Sequence, residues 1–129
     1  MGMLEDLTEL LIDRGHDMTD VVRGPFNDTP ASQTALIPTP STTPPLVYCG
    51  AAYEVHRVAI QVKRLDPVEA RARAQSLYAD LFGVIDQPAG DSTFKAVIPQ
   101  SAPFWIDEDA NRASIYGFTA EVRRRDGGS

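Results

Sequence analysis

The stretch Tyr53–Gly83, YEVHRVAIQVKRLDPVEARARAQSLYADLFG, leaves its part of the chain little conformational choice. Val58, Ile60 and Val62 alternate with Arg57, Ala59, Gln61 and Lys63. A period of two gives a strand with one apolar and one polar face. Asp66 then offers an N-cap oxygen, Pro67 suits the first helical position, and Glu69 completes a capping box with Asp66. Ala70, Ala74, Leu77, Tyr78 and Leu81 recur at helical spacing, with Arg71, Arg73, Gln75 and Asp80 on the other side. Gly83 can take the left-handed conformation that ends a helix. The stretch therefore reads as a long strand, a sharp turn and an amphipathic helix.

The flanking segments are read against that element. Residues 3–14 place Leu4, Leu7, Leu10 and Leu11 at helical spacing before Gly15, and Glu5, Asp6 and Glu9 lie near the positive end of the helix dipole. Six acids against Arg14 give residues 1–20 a charge of −5, whereas residues 53–82, with five basic and four acidic groups, carry +1. In residues 21–52, Val21 to Phe26 and Ala35 to Ile37 have the composition of short strands. The run PTPSTTPP over 38–45 is too poor in apolar residues to pack, and is expected to be an extended, mobile loop. Residues 84–92 read as a turn-rich link, Phe94 to Ile98 as a strand, and Phe104 to Ile106 as another. Residues 107–112 read as a hairpin loop in which Asn111 can take positive φ. The return strand sets Tyr116, Phe118, Ala120 and Val122 on one face, and Ile115, Gly117, Thr119 and Glu121 on the other. Residues 124–129 read as a frayed basic tail. The expected fold is α+β: a mainly antiparallel sheet with an N-terminal and a central helix on one face, in a single domain over 1–129.

Bulk properties narrow the function. A chain of 129 residues with 43% apolar and 23% charged content can bury a modest core. Its net charge of −6 argues against a protein that binds nucleic acid by neutralising phosphates. No run approaches the roughly 20 apolar residues of a membrane helix, and no basic-then-apolar leader opens the sequence. Cys49 is the single cysteine, so neither an internal disulfide nor a multi-cysteine zinc site can form. A soluble protein of a reducing compartment is the expectation.

Chemistry-bearing clusters are few. Asp107, Glu108 and Asp109 invite comparison with a hard-cation site, but adjacent acids at a hairpin tip point different ways, and a solvated turn explains them. His16 and His56 have no ligand-spaced partner. Cys49 beside Gly50 reads as a small buried residue, and Arg123 to Arg125 as a solvated end. No nucleophile motif or phosphate-binding glycine loop is present. The expectation is a protein with no enzymatic activity, cofactor or metal.

Two segments resemble a known family. VAIQVKRLDPVEARARAQSLYADLFG looks like the strand, Arg, Asp-Pro, helix centre of the small tail-terminator, or minor capsid, proteins of long-tailed bacteriophages. FWIDEDANRASIYGFTAEVRR is similar to their C-terminal hairpin, in which an acidic Asp-x-x-Gly-Arg turn precedes a strand carrying an Asn before an aromatic residue. Asp109, Asn111 and Arg112 fit that turn with Asn111 in the glycine's place, and Gly117 stands where the strand Asn is expected. The likeness covers the first helix and residues 53–125, and leaves 21–52 unmatched.

The resemblance implies a virion protein that forms a hexameric ring on the finished tail tube. Such a ring stops tube polymerisation and joins the tail to the head-side connector. It would be assembled in the host cytoplasm and located in the neck region of the tail. A neighbouring head-completion or stopper protein is the alternative within that class. A small α+β enzyme or ligand-binding module is the alternative outside it. The segregated charge suggests how copies or rings could meet: Glu5, Asp6, Glu9 and Asp13 would face Arg57, Gln61 and Lys63 of another copy or partner.

Overall fold

The structure is a computed structural model that describes residues 3–23, 32–39, 46–48, 51–89, 92–108 and 112–126. Helix α1 spans Met3–Asp13 and α2 spans Pro67–Leu81. The strands are β1 (Val21–Arg23), β2 (Gln33–Thr39), β3 (Leu46–Tyr48), β4 (Ala51–Arg64), β5 (Ile85–Ala89), β6 (Ser92–Pro99), β7 (Phe104–Glu108) and β8 (Ser114–Asp126). They form one sheet in the order β1-β2-β4-β8-β6-β5, with β3 pairing with β4 and β7 with β8. Among the described residues only the β1–β2 pair is parallel, and every other pair is antiparallel. The expected α+β architecture is thus present.

The central element forms as its residues dictate. The Asp66 carboxylate accepts a hydrogen bond from the Val68 amide at 2.9 Å, Pro67 opens the helix, and Gly83 turns the chain at φ +83°. α2 lies across β4 and β8, and Ala70 and Ala74, both buried, let it approach closely. Leu77 and Leu81 join Val58, Ile60 and Val62 of β4, Phe118, Ala120 and Val122 of β8, Leu36 of β2, and Phe94 and Val97 of β6 in one core. Leu7, Leu10 and Leu11 bring α1 into the same cluster. The Tyr78 ring meets Phe118 edge to face, with centroids 5.5 Å apart.

Several expectations are corrected. The link over 84–92 contains β5, which pairs with β6 around the cross-strand ion pair Lys95–Asp86 at 2.9 Å. The strand expected over 21–26 is described only as β1, and that over 35–37 is longer, as β2. Pro38 and Thr39 of the supposed mobile loop end β2, paired with Val58 and Arg57; residues 40–45 lie outside the described residues. At the β7–β8 hairpin the positive φ of 62° falls on Arg112, while Asn111 lies outside the described residues. Residues 124–126 of the expected frayed tail belong to β8, which runs to Asp126, and Arg124 is only 7% exposed; residues 127–129 lie outside the described residues.

The reason for that last correction is strand parity. Arg124 follows Phe118, Ala120 and Val122 on the core face of β8. Its guanidinium meets the carboxylate of Asp6, 0% exposed, at 3.2 Å. A buried cation is tolerated only with such a partner. The pair ties the first helix to the last strand across 118 residues of sequence.

Gly117 is also explained. A Cβ there would sit 2.6 Å from the Ile60 carbonyl oxygen and 2.9 Å from Cδ1 of Ile106. A bulge between Trp105 and Asp107 turns Ile106 onto this position. Neither alanine nor asparagine fits without displacing the backbone of β4.

Candidate functional site

A connected group of polar side chains lies where the α1–β1 connection crosses α2. Helix α1 ends in a Schellman motif: the His16 amide donates to the Leu11 carbonyl at 3.1 Å, the Gly15 amide donates to Ile12 at 2.9 Å, and Gly15 has φ +92°. That turn delivers His16 onto α2. Arg73 and Asp80, two helical turns apart, share one face of the helix there. The Arg73 Nη1 donates to His16 Nδ1 at 3.3 Å. Because a guanidinium has only donors, Nδ1 must be the acceptor, so the ring proton sits on Nε2 and is donated to the Asp80 carboxylate.

The network continues through Asp20. Its Oδ2 accepts from Arg64 Nη2 at 2.6 Å and from the Thr34 hydroxyl at 2.8 Å, and its Oδ1 lies 3.7 Å from Arg73 Nη2. Arg73 Nη2 also donates to the Asp17 carbonyl at 2.6 Å. Arg64 Nη1 donates to the carbonyls of Gln33 and Lys63. Burial pulls Arg73 below its ordinary value, with the carboxylate of Asp20 opposing that shift. The Thr19 amide, then its hydroxyl, hold the exposed Asp17 carboxyl below its ordinary value. Above the network is an open depression of about 290 Å³ lined by Asp17, Thr19, Asp20, Ser32, Arg64 and Arg73. Two guanidinium groups face two carboxylates there, so the lining is electrically balanced. Its first effect is to fasten the α1–β1 connection to α2 and β4.

The residues expected to mediate contacts between copies divide into two groups. Glu5 is partly exposed, and Glu9 and Asp13 are exposed on α1; Arg57 is exposed and Gln61 partly so on β4. Since α1 packs on the Val58–Ile60–Val62 face and Arg57 alternates to the opposite face, these acids and bases are on different sides of the sheet. Asp6 and Lys63 are corrected. Asp6 is held internally by Arg124. Lys63, expected on an open polar face, is 2% exposed between Gln33 on β2 and Ile115 on β8, and it is not without an interaction partner. Interior strands on both sides cover it, which an isolated strand pattern does not reveal.

Sequence reasoning missed the His16–Arg73–Asp20–Arg64 network, having given His16 no ligand-spaced partner and placed Arg73 only on the polar side of its helix. The available signal was the glycine stop at Gly15, which aims His16 back across α1, together with the two-turn spacing of Arg73 and Asp80. Among the described residues no group of three or more His, Cys, Asp or Glu is arranged to hold a metal ion, and no helix is long and apolar enough to cross a membrane. The described surface also carries two exposed aromatic residues: Phe104 and Trp105 on β7 are each 54% exposed. No protein-family model matches this chain, and no curated protein matches it.

Proposed function

We propose that this chain is a structural, non-enzymatic virion protein of a long-tailed bacteriophage. It forms a homo-oligomeric ring on the tail tube, ends tube polymerisation and presents a surface to the head-side connector. The observation that carries this reading is the placement of the two family-like segments. β4, with its Arg64, Asp66-Pro67 turn and α2, lies beside β8 from Glu54↔Arg124 to Arg64↔Ser114. The resembling residues therefore make one continuous unit. The N-terminal helix, which the resemblance also includes, is fixed to that unit by Asp6 and Arg124. Glu9 and Asp13 on one side of the sheet and Arg57 on the other supply opposite charges that suit contacts between copies or between rings.

The test is oligomer mass by light scattering across a salt series. A ring held partly by exposed charges weakens as salt rises, because the Debye length is about 8–10 Å near physiological ionic strength. Arg57→Glu should weaken it further at low salt while circular dichroism stays unchanged. A chain that remains a monomer at every salt and protein concentration overturns the proposal.

A further inference from the structure

We propose that copies of this chain join head to tail through their sheets, β7 of one copy adding as an antiparallel strand to β1 of the next. This rests on the ring reading for its occupant, a second copy of the chain, and adds the surface by which the copies meet. Among the described residues, β1 pairs only with β2 and β7 only with β8, so the sheet has an open edge at each of these strands. Open edges present unpaired amides and carbonyls, and natural proteins shield them with charges, proline or short length. β7 carries Asp107 and Glu108 at one end, but its other end offers Phe104 and Trp105, each 54% exposed. Rings of this size bury about 150–250 Å² when covered, so about 100 Å² of each is still free to be buried.

Strand direction selects the partner. β1 runs parallel to β2, and β2–β4, β4–β8 and β8–β7 are each antiparallel. β1 and β7 of one copy therefore run in opposite senses. A neighbour standing in the same sense as the first copy brings its β1 antiparallel to β7, with no inversion of the subunit. A contact of this heterologous kind closes into a ring when its rotation permits.

Side-chain chemistry agrees with that direction. An antiparallel addition sets the exposed Arg23, which ends β1, against the Phe104–Trp105 end of β7, where a guanidinium stacks on aromatic faces. The same addition carries the acidic end of β7, exposed Asp107 and Glu108, toward the residues just before Val21. Those residues, Thr19 and Asp20, border the depression that presents the Arg64 and Arg73 guanidinium groups and the Thr19 and Ser32 hydroxyls. A balanced lining with several donors can accept carboxylates that an acidic one would repel.

The experiment uses the full chain with Cys49→Ser, and two further preparations of it carrying Trp105→Cys or Val22→Cys. Each is oxidised alone and after mixing, at a concentration where the Cys49→Ser chain is oligomeric. The expected result is a cross-linked dimer in the mixture and none in either preparation alone. In parallel, Phe104→Ser and Arg23→Glu, both at exposed sites, should each raise the apparent dissociation constant of the oligomer tenfold or more with unchanged circular dichroism. A cross-link in the Trp105→Cys preparation alone would overturn the proposal in favour of a two-fold β7–β7 contact. An oligomer that gives no mixed cross-link and ignores both substitutions would overturn the edge pairing while leaving the ring reading intact. A Cys49→Ser chain and a native chain that are both monomeric at every concentration would overturn both.

Discussion

Replacing Asp6 by alanine should be among the most damaging single changes in this chain. The side chain is 0% exposed and sits 3.2 Å from the Arg124 guanidinium, itself 9% exposed as a side chain. Removing one partner of a buried ion pair leaves the other charged in a low-dielectric site, at a cost of about 3–5 kcal/mol. For a domain of this size, about 3–5 °C of melting temperature is lost per kcal/mol, so the midpoint should fall by roughly 10–20 °C. Arg124→Met should behave similarly, because it removes the guanidinium that faces the buried Asp6 carboxylate. The double variant Asp6→Leu with Arg124→Met removes both charges and supplies apolar volume; it should recover most of the loss, within about 1–2 kcal/mol of the parent. The assay is urea unfolding of all four proteins followed by circular dichroism, closed as a double-mutant cycle. Two single variants that each cost under about 1 kcal/mol, with additive effects, would show that the pair does not couple α1 to β8 and would refute the reasoning.

Three other expectations follow from the packing and the electrostatics. Leu81→Ala, at a fully buried position on α2, should cost about 2–5 kcal/mol in the same assay, and a variant melting with the parent would mean that α2 does not pack on β4 as described. Gly117→Ala should cost about 1–3 kcal/mol, since its Cβ meets the Ile60 carbonyl at 2.6 Å; an unchanged midpoint would remove the close approach of β8 to β4 and Ile106. Hydrogen bonds from Thr19 hold the Asp17 carboxyl below its ordinary value, so its stabilising contribution is present above the ordinary carboxylate range and is lost as pH falls through the lower folded value. Asp17→Asn should flatten that part of an acid-unfolding curve, and a curve of unchanged shape would exclude the contribution.

How much the sequence disclosed depended on whether a signal was local. The β4–α2 unit was legible because alternation, an Asp-Pro cap and a terminal glycine all occur within one stretch and agree with one another. The core positions of β8 were legible for the same reason, but the apolar pattern was followed only as far as Val122. Extending its parity by one more step would have put Arg124 inside and demanded a buried acid, and Asp6, at i−4 from Leu10, flanks the leucine stripe of α1. Lys63 was misplaced because burial on a second sheet face depends on which strands lie alongside, and that is a property of topology. β5 was missed because Pro88, Gly90 and Asp91 give that segment the composition of a turn, although Ile85–Ala89 pairs with β6 as a strand. The His16 network joins residues of four different elements, so only the folded chain brings it together.

The most direct measurement of the central claim is the length of tail tubes assembled in the presence of this chain. A tail tube protein of a long-tailed bacteriophage would be polymerised alone and with substoichiometric amounts of the purified chain, then imaged by electron microscopy. The expected result is shorter tubes, a length that falls as the chain is added, and a ring of density at one tube end. Tubes of unchanged length with bare ends, from a chain that is folded by circular dichroism, would contradict it.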